Sequence, residues 1–140
     1  MIYKTGRTKK ITDTIELCDE SGNVEKALVI SLDIDTIALQ LSSKYSDYVA
    51  SSRRLKEAQN SGDKTKFISI AAVYYQTLID LFEMVFGREN TEAILEFYEH
   101  RYLEMAQQLL PYVYMEVLPK IRKSVKQQKN SIKNIFKSKI

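Results

Sequence analysis

A chain of 140 residues, 44% of them hydrophobic and with a net charge of only +3, has the composition of one domain with its own core. Its four Gly and two Pro among many helix-forming residues disfavour disordered and collagen-like architectures, and its single cysteine excludes an internal disulfide and fits a reducing compartment. We expect neither a signal peptide nor a membrane span, because no apolar run follows the N-terminus or approaches the roughly 18–20 residues that a span requires.

The N-terminal region, residues 2–32, has the alternating pattern of β-strands. Apolar and polar residues alternate over 11–18, and an apolar run with β-branched residues follows over 27–32. The segment 19–23 between them contains Gly22 and small polar residues, which are typical of a turn. We therefore predict a β-hairpin. It must pack on other elements, add strands from residues 2–8 or pair with another subunit, because an isolated hairpin is marginally stable.

A helical periodicity begins after the hairpin. Asp33 and Asp35 are candidate N-caps, since a carboxylate accepts hydrogen bonds from the first-turn amides. Apolar residues then recur at spacings of three and four up to a helix end near Gln59, and the segment 60–63 breaks the pattern. Asp63 at the end of this break is a candidate cap for the next helix. The next predicted helix, 67–86, is apolar on two faces, which indicates a central position or an interface.

Phe86, Gly87 and Asn90 form the predicted joint between this helix and the next. Gly87 suits the left-handed conformation that closes a helix, and Asn90 or Thr91 is expected to cap the following one. Pro111 is expected to end or restart that helix. The apolar residues of the predicted helix after Gly87 lie at helical spacing: Ile94, Tyr98, Tyr102, Met105 and Leu109.

The segment 120–140 is a basic amphipathic tail. It contains eight Lys or Arg and no acidic residue, whereas residues 1–119 carry the other 13 cations and all 18 acidic residues. Pro119, just before it, is expected to bend the surrounding helix. Such a tail can bind nucleic acid, lie on an anionic membrane, dock on a partner protein, or serve only as a charged, solubilising terminus. The acidic remainder of the chain and the few aromatic residues of the tail disfavour nucleic acid, and the lack of Trp and of a lipidation motif disfavours a membrane.

No residue pattern points to catalysis, a cofactor or a metal. The only histidine, His100, follows Glu96 by one helical turn, and two ligands do not make a metal site. Asp33 and Asp35 are more often caps than a catalytic pair. Nucleotide-binding, dinucleotide-binding and hydrolase motifs are absent. We therefore expect a protein-binding function and no enzyme.

Tyr, Met and tail residues supply the candidate binding surface. Tyr combines a large contact area with a polar tip, and Met adapts to irregular grooves. Ordinary core packing is the alternative explanation for these side chains. The residues predicted to contact a partner lie near Pro111 and on the tail: Tyr98, Tyr102, Met105, Tyr112, Tyr114, Ile121, Val125, Ile132 and Phe136.

Four segments, 86–91, 94–99, 102–105 and 110–113, resemble tail assembly chaperones of long-tailed, siphovirus-type bacteriophages and of prophages of Gram-positive bacteria. The resemblance covers about residues 68–122. It implies a protein of the bacterial host cytoplasm that is absent from the mature virion. It further implies that the protein binds the long, helical tape measure protein and keeps it soluble while the tail tube polymerises. The tail tube protein is a further candidate partner.

The sequence thus predicts an α+β fold that is mostly α. One globular domain, 1–119, comprises the β-hairpin region 2–32 and the helical region 33–119 with about three to four helices, and the basic tail 120–140 follows. Another phage structural or adaptor protein, or a nucleic-acid-binding regulator that uses the tail, are the alternative functions. We also expect self-association, because the hairpin has open edges.

Overall fold

The predicted α+β fold, mostly α, is confirmed by a computed structural model, which describes residues 1–7 and 10–138 apart from the side chains of Gln128, Ser131, Phe136 and Ser138. A two-stranded hairpin precedes a series of helices. The elements in chain order are β1 (Ile11–Cys18), β2 (Val24–Leu32), α1 (Ile34–Ala38), α2 (Leu41–Ser61), α3 (Lys64–Phe86), α4 (Arg88–Phe97), α5 (Tyr102–Tyr112), a π-helical segment (Val113–Val117) and α6 (Leu118–Ser138).

The hairpin forms where the alternation predicts it. β1 and β2 pair antiparallel from Ile11 opposite Leu32, with an irregularity next to Cys18. Asp19 closes the turn, because its carboxylate accepts hydrogen bonds from the backbone amides of Ser21 and Asn23, each at 2.9 Å. The strands begin at Ile11, so the described residues between 2 and 10 form no strand, and the predicted β region was too long at its N-terminal end.

Polar caps begin two of the helices as the sequence predicts. The Asp33 carboxylate accepts a hydrogen bond from the Thr36 amide at 3.5 Å, and Asp63 accepts one from the Lys66 amide at 3.1 Å. Gly62, with φ +74°, lies in the predicted break before α3. The predicted helix from Asp33 to Gln59 is divided, however, because a turn at residues 39–40 separates α1 from α2.

Gly87 alone separates α3 from α4. Its φ of +84° and ψ of 160° confirm the predicted positive φ and lie in a region that essentially only glycine adopts. The predicted cap at Asn90 or Thr91 is wrong, because α4 already begins at Arg88. The Asn90 side-chain amide instead donates hydrogen bonds to the backbone oxygens of Phe86 and Val29, at 3.0 and 3.1 Å, and so joins the α3–α4 joint to β2.

Replacing Gly87 with Val is expected to lower the free energy of unfolding by about 1–3 kcal/mol, because a β-branched residue is strained at this φ and ψ. Gly6→Val is the matched control, since a Cβ at either glycine meets no atom within 4 Å and only Gly87 has a positive φ. Urea denaturation followed by circular dichroism measures both. Equal stabilities for the two variants would contradict this account of the joint.

The helix predicted to run through Tyr98 and Tyr102 is broken by a tight turn. Glu99 and His100 adopt φ values of +52° and +60°, although neither is glycine. The amide of His100 donates to the Leu95 oxygen and that of Glu99 to the Glu96 oxygen, both at 3.0 Å, which is the bonding of a Schellman helix end. The sequence offered no glycine signal for this end, so the prediction of one continuous helix was wrong.

Pro111 neither ends nor restarts the helix that contains it. It lies inside α5, and a π-helical segment connects α5 to α6 without an interruption of the helical backbone. The amide of Leu118 donates to the oxygen of Val113, five residues earlier. Pro111 and Pro119 flank this segment, and since neither has an amide hydrogen, the regular hydrogen-bond ladder is weakened there.

The core lies where the hairpin, the C-terminal half of α3 and the helices α4 to α6 meet. β2 contributes its alternate residues, and α3 contributes one face of its last three turns. The fully buried side chains with the largest volumes are Phe82, Ile30, Leu32, Leu41, Leu78, Leu81, Ile94, Met105, Val113 and Val117. The N-terminal half of α3 and most of α2 lie outside this cluster and contact chiefly each other.

Candidate partner-binding surfaces

The four tyrosines predicted to form one cluster near Pro111 are dispersed. Tyr98 packs edge-on against Phe97 (ring centroids 4.9 Å apart), Tyr102 stacks on Tyr75 of α3 (4.3 Å), and Tyr112 stacks on Phe86 (5.8 Å). Tyr114 is 45% exposed. The first three are half-buried, and Tyr102 and Tyr112 connect α5 to α3. Of the four tyrosines, Tyr114 is the exposed one, and its neighbour Met115 is exposed as well.

Tyr112 also anchors the hairpin to the C-terminal helices. Its hydroxyl donates a hydrogen bond to the Asp13 carboxylate at 2.6 Å, and the Lys120 ammonium lies 3.5 Å from the same oxygen. Burial, and then the hydrogen bond to Asp13, raise the pKa of the Tyr112 phenol above its ordinary value. These contacts join β1, α5 and α6, and thereby fix the base of α6.

Replacing Asp13 with Ala is expected to lower the free energy of unfolding by about 1–3 kcal/mol, because the half-buried Tyr112 hydroxyl loses its acceptor and Lys120 loses its counterion. A variant of Asp19, the other hairpin aspartate, is not a suitable control, since the Asp19 carboxylate closes the hairpin turn. Glu116→Ala, at an exposed acidic position of the π-helical segment, is the control, and its effect should be small. Urea denaturation measures both, and an effect of Asp13→Ala as small as the control would show that the anchor is unimportant.

Two of the predicted partner-binding residues belong to the core. Met105 is 0% and Ile121 3% exposed, and both pack within the main hydrophobic cluster. These two side chains therefore have the ordinary core packing that was the alternative explanation, and a partner cannot reach them in this conformation. Val125, one turn beyond Ile121, is half-buried and packs against the edge of the core.

The distal part of α6 extends beyond this packing. From Lys126 onward every described side chain of α6 is exposed, and Ile132 and Ile135 are 55% and 54% exposed. Ile132 follows Val125 by seven residues, so it continues the same helical stripe. The Phe136 side chain lies outside the described part of the chain. The helical spacing of the cations places most of them on an adjoining face: Arg122, Lys126, Lys129, Lys133 and Lys137.

The paired helices α2 and α3 form a second exposed region, which includes part of the helix predicted to be apolar on two faces. A row of tyrosines lies along their contact, with the Tyr48 and Tyr74 hydroxyls 3.2 Å apart, and burial raises the pKa of both phenols. Towards the tip of this pair, Ile68 and Val73 of α3 are 68% and 52% exposed. A cavity of about 520 Å³ at the tip is lined in part by Ala58, Phe67 and Ile68.

Helix α3 passes a length-and-hydropathy criterion for a membrane span, contrary to our expectation that no segment would. In the 18-residue window of this 23-residue helix that meets the criterion, 33% is buried. Its C-terminal half is the centre of the core, with Leu78, Leu81 and Phe82 each 0% exposed. The criterion is also met by the central helix of a folded domain, so it does not by itself indicate a membrane.

An acidic cleft of about 610 Å³ lies between the hairpin turn and the α4–α5 turn. Five carboxylates line it, from Asp19, Glu20, Glu25, Glu99 and Glu104. Arg101 pairs with two of these residues, at 3.2 Å from Glu99 and 3.5 Å from Glu104. Among the residues that the structure describes, no three His, Cys, Asp or Glu side chains are grouped so as to hold a metal ion.

Comparison of the chain with protein-family models, with curated proteins and with solved structures gives no match. The exposed surfaces and the resemblance of residues 68–122 are thus the features that point to a function.

Proposed function

We propose that this protein is a phage tail assembly chaperone that binds the tape measure protein and keeps it soluble in the host cytoplasm during tail tube assembly. The observation that carries the proposal is the exposed apolar stripe of α6, with Ile132 55% exposed and cations on the adjoining face. The resemblance of the segments 86–91, 94–99, 102–105 and 110–113 supports it. On this proposal the protein is a binding protein, absent from the mature virion, with no catalytic role.

The stripe of α6 is suited to a helical partner. An amphipathic helix binds by placing its apolar side chains against those of a partner helix or groove, and flanking charges orient the two. The base of α6 is held by buried Ile121 and by the Lys120–Asp13 contact, so its distal part is presented in a defined direction. A long helical protein such as the tape measure protein offers repeated apolar faces to such a helix.

Coexpression with the tape measure protein of the same phage tests this function. The full chain is expected to keep the tape measure protein in the soluble fraction and to copurify with it. A chain ending at Val125 keeps Ile121 and Val125, whose side chains pack on the core, and should fold but capture much less. An insoluble tape measure protein in the presence of the full, folded chain would contradict the proposal.

The exposed lysines of α6 give the nucleic-acid alternative its one specific support. A phosphate-binding arm requires the cations but not the apolar stripe, and its affinity falls steeply with salt as counterions are released. Tight binding to generic duplex DNA that falls steeply with salt, and that is lost when the lysines are replaced with Gln, would favour this alternative over the chaperone.

A further inference from the structure

The turn between α4 and α5 lies in a sequence that favours an uninterrupted helix. No Gly or Pro occurs between Arg88 and Pro111, and the apolar residues Ile94, Tyr98 and Tyr102 continue at helical spacing across the turn. Such a sequence favours one continuous helix. The structure instead ends α4 at Phe97 and begins α5 at Tyr102. Local preference and tertiary structure therefore disagree at this point.

The turn itself is unfavourable for the residues that form it. Glu99 occupies the position after the helix end where glycine is preferred, and His100 next to it is also left-handed. The two hydrogen bonds of the Schellman end satisfy backbone groups, but they leave both residues left-handed. The ion pairs of Arg101 with Glu99 and Glu104 are at the surface, where such pairs contribute little to stability.

Tertiary packing on both sides of the turn holds it bent. Ile94 of α4 and Met105 of α5 are each 0% exposed, and Tyr102 stacks on Tyr75 of α3 with ring centroids 4.3 Å apart. These contacts require α4 and α5 to fold back over α3. A straight α4–α5 helix cannot keep the packing of both Ile94 and Met105, so straightening would expose apolar surface that is otherwise buried.

We propose that residues 98–101 are a hinge, with a second state in which α4 and α5 join into one helix from Arg88 to Tyr112. The bent state buries the apolar side chains of both helices. The straight state relieves the two left-handed residues and exposes the apolar surface around Ile94 and Met105. The hinge thereby gives the protein a closed and an open form of the same apolar surface. This inference is independent of the proposed function.

The distance between spin labels on α4 and α5 tests the hinge. Cys18 is replaced with Ser, and cysteines are placed at the exposed positions Glu92 and Gln107. In a straight helix these positions are 15 residues apart, which corresponds to about 22 Å along the axis. The bent state gives a shorter distance. Pulsed electron paramagnetic resonance measures the populations of the bent and the straight state.

Two variants of the turn shift the populations in opposite directions. Glu99→Gly with His100→Gly favours the bent state, since glycine accepts a left-handed conformation and is a poor helix former. Glu99→Ala with His100→Ala keeps the cost of the left-handed conformation and favours the helix. We expect the straight population to be at least about tenfold lower in the glycine pair than in the alanine pair. Both states are folded, so changes in the unfolded chain do not affect this ratio.

Amide exchange gives a second measurement should a double variant fold poorly. The Leu103 amide lies in the first turn of α5, which has no side-chain cap in the bent state, whereas in a straight helix it would donate to the Glu99 oxygen. It is therefore expected to exchange more slowly in the single variant Glu99→Ala than in Glu99→Gly. One short distance in all variants, with equal exchange at Leu103, would overturn the hinge.

Discussion

Replacing Phe86 with Ala is expected to lower the free energy of unfolding by about 3–5 kcal/mol, the range found for buried aromatic residues. Phe86 is 3% exposed at the end of α3. Its ring packs edge-on against Phe82 at 5.2 Å and stacks on Tyr112 at 5.8 Å. Truncation would therefore leave a cavity where α3, α5 and the hairpin anchor meet.

Phe67→Ala is the matched control for this prediction. Phe67 lies on the same helix but is 36% exposed and outside the main core cluster, so its loss should cost no more than about 1.5 kcal/mol. Urea denaturation followed by circular dichroism measures both variants. Equal losses would show that the C-terminal half of α3 is no more important to the core than its N-terminal half.

Under the proposed chaperone function, replacing Ile132 with Ser is expected to weaken binding to the tape measure protein by about tenfold or more, without a change in stability. An exposed Ile that becomes buried on binding contributes about 1.5–3 kcal/mol, and about 1.4 kcal/mol corresponds to a factor of ten. Ile132 is 55% exposed in the free protein, so its replacement removes little from the core. Titration against a soluble fragment of the tape measure protein measures the affinity.

Lys126→Gln with Lys133→Gln is the control that separates apolar contact from charge. Both lysines are exposed, and an exposed charge pair contributes less than about 1 kcal/mol. The double charge variant should therefore bind better than Ile132→Ser. The opposite order, with a steep dependence on salt, would mean that the cations rather than the stripe bind the partner.

Local signals in the sequence predicted the parts of the fold that depend on local chemistry. The hairpin follows from alternation around a Gly turn, and the caps at Asp33 and Asp63 follow from carboxylates placed before helical patterns. Gly87 was identified because a left-handed joint between two helices needs glycine. The turn at Glu99 and His100 was missed for the same reason, since no glycine marks it.

The sequence by itself determined the mostly helical class of the fold. It also determined the basic charge and the apolar stripe of residues 120–140, because these depend on residue type and spacing alone. The sequence could not decide which apolar residues are exposed. Met105, Ile121 and Ile132 have similar apolar character, yet only Ile132 is exposed. Burial depends on which elements pack together, and the bend after α4 and the anchor at Asp13 determine that packing. The tertiary structure alone therefore placed Tyr102 and Tyr112 against α3 and left the distal part of α6 exposed.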